Sequence, residues 1–169
     1  DVADFEGKYY HVKQVLNNPK PVQKPHPPIL IGGKGEKIMR VAAQLADNWN
    51  LPGAISPSPD EYGRIADTFD EYCRQAGRSP KHITKSIMCT KCIIDDDEGK
   101  VRDKIKRFKP EWQSMEAFMK RLIGTPQQWI DKLNAFKVRG IEYFIIDFAE
   151  PTDFNQLRLF AQEVVPAVK

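Results

Sequence analysis

The fold of this chain is decided by the stretch at residues 27–51, PPILIGGKGEKIMRVAAQLADNWNL. It opens with a short apolar run ahead of two glycines, which predicts a buried strand at residues 29–32. Apolar residues then recur at helical spacing and predict one buried helix face, formed by Ile38, Val41, Ala42 and Leu45. A second short strand is predicted at residues 48–51. Strand, glycine turn, helix and strand in this order predict a βαβ unit with parallel strands.

The glycine turn of this unit, Gly32-Gly33-Lys34-Gly35, lies at the predicted start of the helix. Helix N-termini present unpaired N–H groups and the positive end of the helix dipole, so they bind anions readily. Lys34 and Lys37 add positive charge. The spacing matches neither the GxGxxG nor the GxxxxGK[ST] phosphate-binding pattern, and many turns need glycine for geometry alone. These residues by themselves leave both an anion site and a plain turn open.

Composition limits the classes of function. The 169 residues are 41% hydrophobic and 29% charged, as in an ordinary globular domain. The net charge of +3 comes from interleaved acids and bases, without the basic stripe of a nucleic-acid-binding protein. No apolar run approaches the roughly 20 residues of a membrane span. Three cysteines, an odd number, fit a reducing compartment. We expect a cytoplasmic protein with no nucleic-acid and no membrane partner.

The remainder of the chain alternates predicted strands and helices. Strands are predicted near residues 85–94 and 141–148 from their β-branched and aromatic content. Two helices are predicted to begin at the capping boxes Ser58-Pro59-Asp60-Glu61 and Thr125-Pro126-Gln127-Gln128. A further helix is predicted over residues 112–123. The last helix, residues 153–168, is expected to bury Phe154, Leu157, Phe160, Ala161 and Val164.

Residues 1–28 precede this alternating region. Five prolines between residues 19 and 28 hold the chain in an extended, non-helical conformation. Ahead of them, residues 5–12 predict a short hairpin that turns at Gly7. We therefore divide the chain into an extended Pro-rich connector with a short hairpin, residues 1–28, and a main domain, residues 29–169.

Two smaller motifs have mainly structural interpretations. Cys89 and Cys92 suggest a redox or zinc pair, but side chains three apart on a strand point to opposite faces, so one is expected in the core and one at the surface. Cys73 is the sole further cysteine, so no metal site is predicted. The acidic residues 95–98 lack the alternating spacing of a calcium loop and are expected to cap the following helix.

The segment at residues 25–50, PHPPILIGGKGEKIMRVAAQLADNWN, resembles a signature of the bacterial luciferase-like monooxygenase family. The resemblance is to the branch that uses the deazaflavin coenzyme F-420, where a proline-rich approach, Gly-Gly, a basic helix and A-D-x-W-N follow in this order. Residues 5–10, 124–128 and 140–144 resemble other segments of the family, also in order. The similarity covers essentially the whole chain.

This resemblance implies a fold. Members of the family form a single (β/α)8 barrel of roughly twice this length, and the matched motifs belong to its second half. The expected fold is α/β, the C-terminal half of a TIM (β/α)8 barrel with about four βα units, starting at the fifth strand. Its strands would be those near residues 29–32, 48–51, 85–94 and 141–148. A half barrel leaves strand edges unpaired, so we expect a homodimer. We also expect this fragment to be inactive alone.

The resemblance also implies a cofactor site. The backbone N–H groups of residues 33–37 would cradle the cofactor phosphate, with Lys34 or Lys37 as counter-charge, and Trp49 and Asn50 would lie near the ring system. A plain core role for Trp49 stays open. The candidate cofactor-binding residues are Gly32, Gly33, Lys34, Gly35, Glu36, Lys37, Trp49 and Asn50. No catalytic residue is assigned, because family residues that act on substrate lie mostly on the first four strands.

The implied function is a flavin- or deazaflavin-dependent oxidoreductase or monooxygenase acting on a small organic substrate. The cofactor would be coenzyme F-420 or FMN; with FMN, a flavin reductase is an expected partner. A Rossmann-type nucleotide-binding module is disfavoured, because no acidic residue ends the second strand at Leu51 to bind a ribose. A non-catalytic half-barrel domain for assembly or binding is the third interpretation.

Overall fold

A computed structural model describes residues 2–52, 57–111 and 113–168 of the chain. Its strands are β1 (Val2–Glu6), β2 (His11–Leu16), β3 (Leu30–Gly32), β4 (Asn48–Leu51), β5 (Thr84–Ile94), β6 (Ile123–Gly124) and β7 (Tyr143–Phe148). Its helices are α1 (Glu36–Leu45), α2 (Pro59–Gln75), α3 (Glu98–Phe108), α4 (Met115–Met119), α5 (Pro126–Val138) and α6 (Phe154–Leu159). A 3-10 turn (Pro80–His82) precedes β5, and a π-helical turn (Phe160–Val164) extends α6.

The main sheet has five parallel strands, in agreement with the predicted α/β class. β3, β4, β5 and β7 are neighbours in this order, and β6 pairs with the end of β5. One row of paired residues crosses four strands, at Gly32, Asn50, Ser86 and Tyr143. β1 and β2 form a separate antiparallel hairpin whose residues are all exposed. Within the described residues the sheet does not close into a barrel.

The main core lies between one face of this sheet and the helices α1, α2, α5 and α6. Trp49 of β4 stacks on Phe69 of α2 with ring centroids 4.4 Å apart. Trp129 of α5 stacks on Phe148 of β7 at 5.7 Å. Replacing a buried aromatic residue of this kind by alanine typically costs about 3–5 kcal/mol, so these pairs fix the helices on the sheet.

The opposite face of the sheet is only partly covered among the described residues, because α3 and α4 pack on Ile93 and Ile123 in a second, smaller core. Because side chains alternate along a strand, the residues next to Trp49 and Phe148 point to this second face. Leu30 and Tyr143 on it are 48% and 52% exposed. Parallel sheets are normally covered on both faces, so this second face, which we call the open face, is unusual.

The buried face of α1 differs from the predicted one. Met39, Ala42 and Ala43 are buried, whereas Ile38, Val41 and Leu45 are exposed, Leu45 by 61%. The alanines let the helix approach the bulky side chains of β4, such as Trp49, closely. The orientation of this helix therefore follows from size complementarity with the sheet. It does not follow from which side of the helix carries the most large apolar residues.

The helix predicted over residues 112–123 is also different. Trp112 lies outside the described residues, α4 spans only Met115–Met119, and the chain enters β6 at Ile123. Between them the buried Arg121 donates from Nη1 to the Thr90 carbonyl at 2.8 Å and to Thr90 Oγ1 at 2.7 Å. These bonds to β5 stop the helix and direct the chain into the sheet.

The C-terminal helix buries an unexpected residue. Phe154 is 74% exposed and Leu157 is exposed too, while Gln156, Leu159 and Val164 are buried. Gln156 is satisfied in the core because its Nε2 donates to the Glu150 carbonyl at 3.2 Å and its Oε1 accepts from the Ile94 N–H at 3.4 Å. Pairing with the backbone at the end of β5 and in the loop before α6 thus outweighs hydrophobic periodicity here.

A bulge in β5 changes the expected positions of the two nearby cysteines. Lys91 has a positive φ of 53°, and the pairing with β7 shifts between Cys89 and Cys92. Three residues of β5 therefore correspond to two of β7, which breaks the alternation of side chains. Both thiols are buried, so the prediction that one lies at the surface is wrong. The cap predicted from residues 95–98 is confirmed, since Asp97 Oδ1 accepts from the Lys100 N–H at 2.9 Å.

Candidate functional site

A cavity lies beside the glycine loop that follows β3. It has a volume of about 470 Å³ and lies between the start of α1 and the first three turns of α2. Its lining includes Lys34, Met39, Glu61, Arg64 and Thr68. Glu61, Arg64 and Thr68 are spaced so that they share one side of α2. Ligands of parallel α/β sheets bind at the carboxyl ends of the strands, and this cavity is at those ends of β3 and β4.

Glycine is required at position 33. Its φ is +148°, a conformation that other residues rarely adopt, and an added Cβ would lie 2.5 Å from Ile38 Cγ2. Its N–H donates to the Asn50 carbonyl at 3.0 Å. Gly33 therefore makes the sharp turn from β3 into α1, and its own N–H is not available to a ligand.

Trp49 is a core residue that supports the loop. Its side chain is fully buried against Phe69 and Tyr62, and Nε1–H donates to the Gly33 carbonyl at 2.8 Å. The enclosed indole has no surface for a cofactor ring. Of the two roles considered for Trp49, the structure therefore favours the core one.

The N-terminus of α1 is not capped by a side chain. Its N-cap is Gly35, which makes no side-chain bond, whereas Ser58, Asp97 and Ser114 cap α2, α3 and α4. Within the described part of the chain, no group accepts from the backbone N–H groups of residues 34–37. The Glu36 carboxylate is turned away to Arg40, 3.0 Å from its Nε. These four N–H groups are therefore left for solvent or an anion, and of the four residues Lys34 lines the cavity.

The charges around the cavity are unequal. Lys34, Lys37 and Arg64 form no ion pair with any described residue. The pKa of Glu61, in contrast, is lowered to about 2, because its carboxylate accepts from the Ser58 N–H and binds Lys120 at 2.9 Å. Its negative charge is thus already compensated outside the cavity. The local excess of positive charge favours an anionic ligand.

Asn50 belongs to a buried polar cluster on the sheet and not to the surface of the cavity. Its Nδ2 donates to Ser86 Oγ at 2.8 Å, and Ser86 Oγ donates to Asn48 Oδ1 at 2.7 Å. Asn50 is 6% exposed and Ser86 is fully buried. Ser86 was not predicted from the sequence, since nothing in the sequence pairs it with β4. Arg64 was not predicted either, although its spacing of three residues from Glu61 indicates that the two share one side of a helix.

Two kinds of site find no support in the part of the chain that the structure covers. Among these residues no group of three or more His, Cys, Asp or Glu side chains is arranged to hold a metal ion. None of their helices is long and apolar enough to cross a membrane.

Known proteins resemble this chain along its length. Residues 1–135 match the luciferase-like monooxygenase family. An FMNH(2)-dependent dimethylsulfone monooxygenase of Pseudomonas putida is 23% identical over 198 residues, covering 100% of this chain and 54% of that protein. The solved structure of an F420-dependent secondary alcohol dehydrogenase, in complex with an F420–acetone adduct, has a TM-score of 0.81 at 19% identity, covering 99% of this chain and 56% of that one.

A further solved structure, the coenzyme F420-dependent tetrahydromethanopterin reductase of Methanopyrus kandleri, has a TM-score of 0.77 at 18% identity and covers 98% of this chain and 58% of that one. This chain therefore spans about half the length of the curated relatives it matches, 54% and 53% of the two proteins compared. The likeness to the solved structures establishes a common fold. Since the family match includes the hairpin, β3 to β6 and the glycine loop, the chain belongs to the luciferase-like monooxygenase family.

Proposed function

We propose that this chain supplies the phosphate end of the flavin or deazaflavin site in a luciferase-like oxidoreductase. The observation that supports this most is the uncapped N-terminus of α1, which Lys34 connects to a cavity of about 470 Å³ that it lines. Lys34 and Arg64 line the same cavity and have no ion-pair partner among the described residues. Backbone donors, a helix dipole and two cations together favour a phosphate.

The donors of this proposed site are the N–H groups of residues 34–37. Gly33 is excluded as a donor, because its N–H is bonded to the Asn50 carbonyl. This differs from the sequence-based expectation, in which the cradle began at Gly33. Gly32 and Gly33 instead shape the turn, while the Trp49 indole and the Asn50 carbonyl bond to Gly33 from β4.

Either of two cofactors suits this chemistry. Relatives of this chain are named as FMNH2-dependent and as F420-dependent enzymes, and both cofactors carry a phosphate. When bound, the cofactor supplies hydride transfer or, with oxygen, oxygenation of a small organic substrate. The chain's own residues bind and orient it. We propose coenzyme F-420 or FMN, and with FMN a flavin reductase as the partner that supplies it reduced.

We also propose that the domain is the C-terminal half of a (β/α)8 barrel. β3, β4, β5 and β7 are neighbours in chain order, the helices α1, α2, α5 and α6 pack on one face, and Leu30, Met88 and Tyr143 are exposed on the open face. A barrel's other half would cover this face and the edge of β3. If the native protein is no longer than this chain, the open face favours an assembly role and a homodimer. A monodisperse monomer in light scattering would exclude that homodimer.

Gly35 offers a sharp test of the phosphate site. Its φ is −68° and no atom lies within 4 Å of an added Cβ, so a side chain is tolerated there, unlike at Gly33. Gly35→Asp places a carboxylate at the N-cap, where it accepts from the first N–H groups of α1 and repels phosphate. In the full-length gene product we expect the affinity for FMN or coenzyme F-420 to fall at least about tenfold, since a hydrogen bond to a charged group contributes about 1.5–3 kcal/mol.

Gly35→Ala is the matched control and should bind the cofactor as the wild type does. Gly35→Asp should also unfold at no lower temperature than the wild type, because aspartate is a favourable N-cap. Weaker binding in a variant that is equally stable separates loss of the site from loss of the fold. Unchanged affinity in Gly35→Asp would exclude the proposed site.

A further inference from the structure

Two hydrogen bonds from β4 hold the Gly33 residue at both of its polar groups. The Gly33 N–H donates to the Asn50 carbonyl at 3.0 Å, and the Gly33 carbonyl accepts from Trp49 Nε1–H at 2.8 Å. Trp49 itself cannot move easily, because its fully buried ring is stacked at 4.4 Å on Phe69. The orientation of the Gly33 carbonyl is therefore fixed by the core.

This orientation determines where the next donor points. A peptide unit is planar and trans, so the Gly33 carbonyl and the Lys34 N–H belong to one plane and point in opposite directions. Since the carbonyl is directed at the buried indole, the Lys34 N–H is directed away from that indole, and Lys34 itself lines the cavity. The Lys34 N–H is the first free donor of the loop.

We infer that Trp49 is a positioning residue whose indole N–H aims the Lys34 N–H at the phosphate of the bound cofactor. This inference rests on the proposed function of the α1 N-terminus. Without the indole donor the Gly33 carbonyl loses its partner, and the flexible glycine lets this peptide rotate. A rotated peptide presents a carbonyl oxygen to the phosphate in place of an N–H, and two acceptors repel each other.

The chain contains a matched control for this role. Trp129 is also fully buried, stacks on Phe148, and donates from Nε1–H to a backbone carbonyl, that of Ile93, at 2.9 Å. Neither the stacking nor the hydrogen bond of Trp129 involves the glycine loop. Trp49→Phe and Trp129→Phe each keep an aromatic ring in the core and remove one indole donor. The first leaves the Gly33 carbonyl without its indole partner, and the second leaves the Ile93 carbonyl without its own.

The experiment measures how much the phosphate contributes to binding. For the full-length wild type and both variants, dissociation constants are determined for FMN and riboflavin, and for coenzyme F-420 and the same deazaflavin without its phosphate. The readout is the dissociation constant of the phosphate-free compound divided by that of the phosphorylated compound, for whichever of the two pairs the wild type binds. In Trp49→Phe we expect this ratio to fall about tenfold, as for one lost hydrogen bond to a charged group, with binding of the phosphate-free compound unchanged. Trp129→Phe should keep the wild-type ratio.

Other outcomes separate the two proposals. A wild type that binds both members of each pair equally, or neither, overturns the phosphate site and this inference with it. A wild type that prefers the phosphorylated compound, together with a Trp49→Phe variant of the same preference, overturns the positioning role alone. If Trp49→Phe weakens binding of both compounds to the same extent, the role of Trp49 is purely structural, and this result also overturns the positioning role.

Discussion

Glu61 and Lys120 form an ion pair of 2.9 Å between residues 59 positions apart, which ties the start of α2 to the end of α4. The other carboxylate oxygen of Glu61 accepts from the Ser58 N–H at 2.7 Å as part of the capping box. These contacts, the Ser58 N–H first, lower the pKa of Glu61 from 4.5 to about 2. Glu61, one residue of this pair, lines the candidate site.

The first prediction concerns the pH dependence of stability. Because the pKa of Glu61 is lower in the folded chain than in the unfolded one, its stabilisation is present above pH 4.5 and is lost as the pH falls towards 2. Glu61→Gln keeps an acceptor for Ser58 but removes the charge. We expect its free energy of unfolding to depend less steeply on pH in this window, with a total difference from the wild type of under about 1 kcal/mol, because the pair is partly exposed. Parallel curves for variant and wild type would contradict this.

The second prediction concerns the two glycines of the loop. Gly33→Ala is strained by its φ of +148° and by overlap with Ile38, so it should lower the free energy of unfolding by about 1–3 kcal/mol. Gly35→Ala meets no neighbouring atom and should cost at most about 1 kcal/mol. Urea unfolding measures both. Adding Ile38→Ala to Gly33→Ala should recover part of the loss, since it removes the overlap and leaves the strained φ.

Local features of the fold were predictable from the sequence. The capping box of α2 forms with both of its hydrogen bonds, Glu61 N–H to Ser58 Oγ and Ser58 N–H to Glu61, as the Ser-Pro-Asp-Glu pattern predicts. Such signals lie within four residues, so tertiary structure has little influence on them. The parallel βαβ arrangement was also predictable, from the order of strand, glycine turn, helix and strand between residues 27 and 51.

Features that depend on contacts between distant residues were not predictable. The bond from Trp49 to the Gly33 carbonyl spans 16 residues and needs the pairing of β3 with β4. The bulge that buries Cys89 and Cys92 together comes from the positive φ of Lys91, a residue with no turn signal. The exposed Ile38, Val41 and Leu45 show that hydrophobic periodicity finds a helix but not the face it buries.

The third prediction concerns the polar cluster under the open face. Ser86 Oγ bonds the side chains of both Asn48 and Asn50 in a buried position. Ser86→Ala leaves these amides without their partner and should cost about 1–3 kcal/mol of unfolding free energy. Ser79→Ala is the control, because Ser79 is exposed and makes no cap bond, so it should change stability by less than about 0.5 kcal/mol. Equal effects of the two substitutions would contradict the role of Ser86.

The fourth prediction concerns the three thiols, which are all free and buried. Burial raises the pKa of Cys89 to about 12 and also raises the pKa of Cys73 and of Cys92. The thiolate is the reactive form, so the native chain should not react with a disulfide reagent at pH 8, while the chain unfolded in guanidinium chloride should expose three thiols. Labelling should therefore follow the unfolding equilibrium, slowing in any variant that is more stable. Rapid labelling of the native chain at a rate independent of stability would mean that a thiol is accessible in the folded chain, and would contradict this prediction.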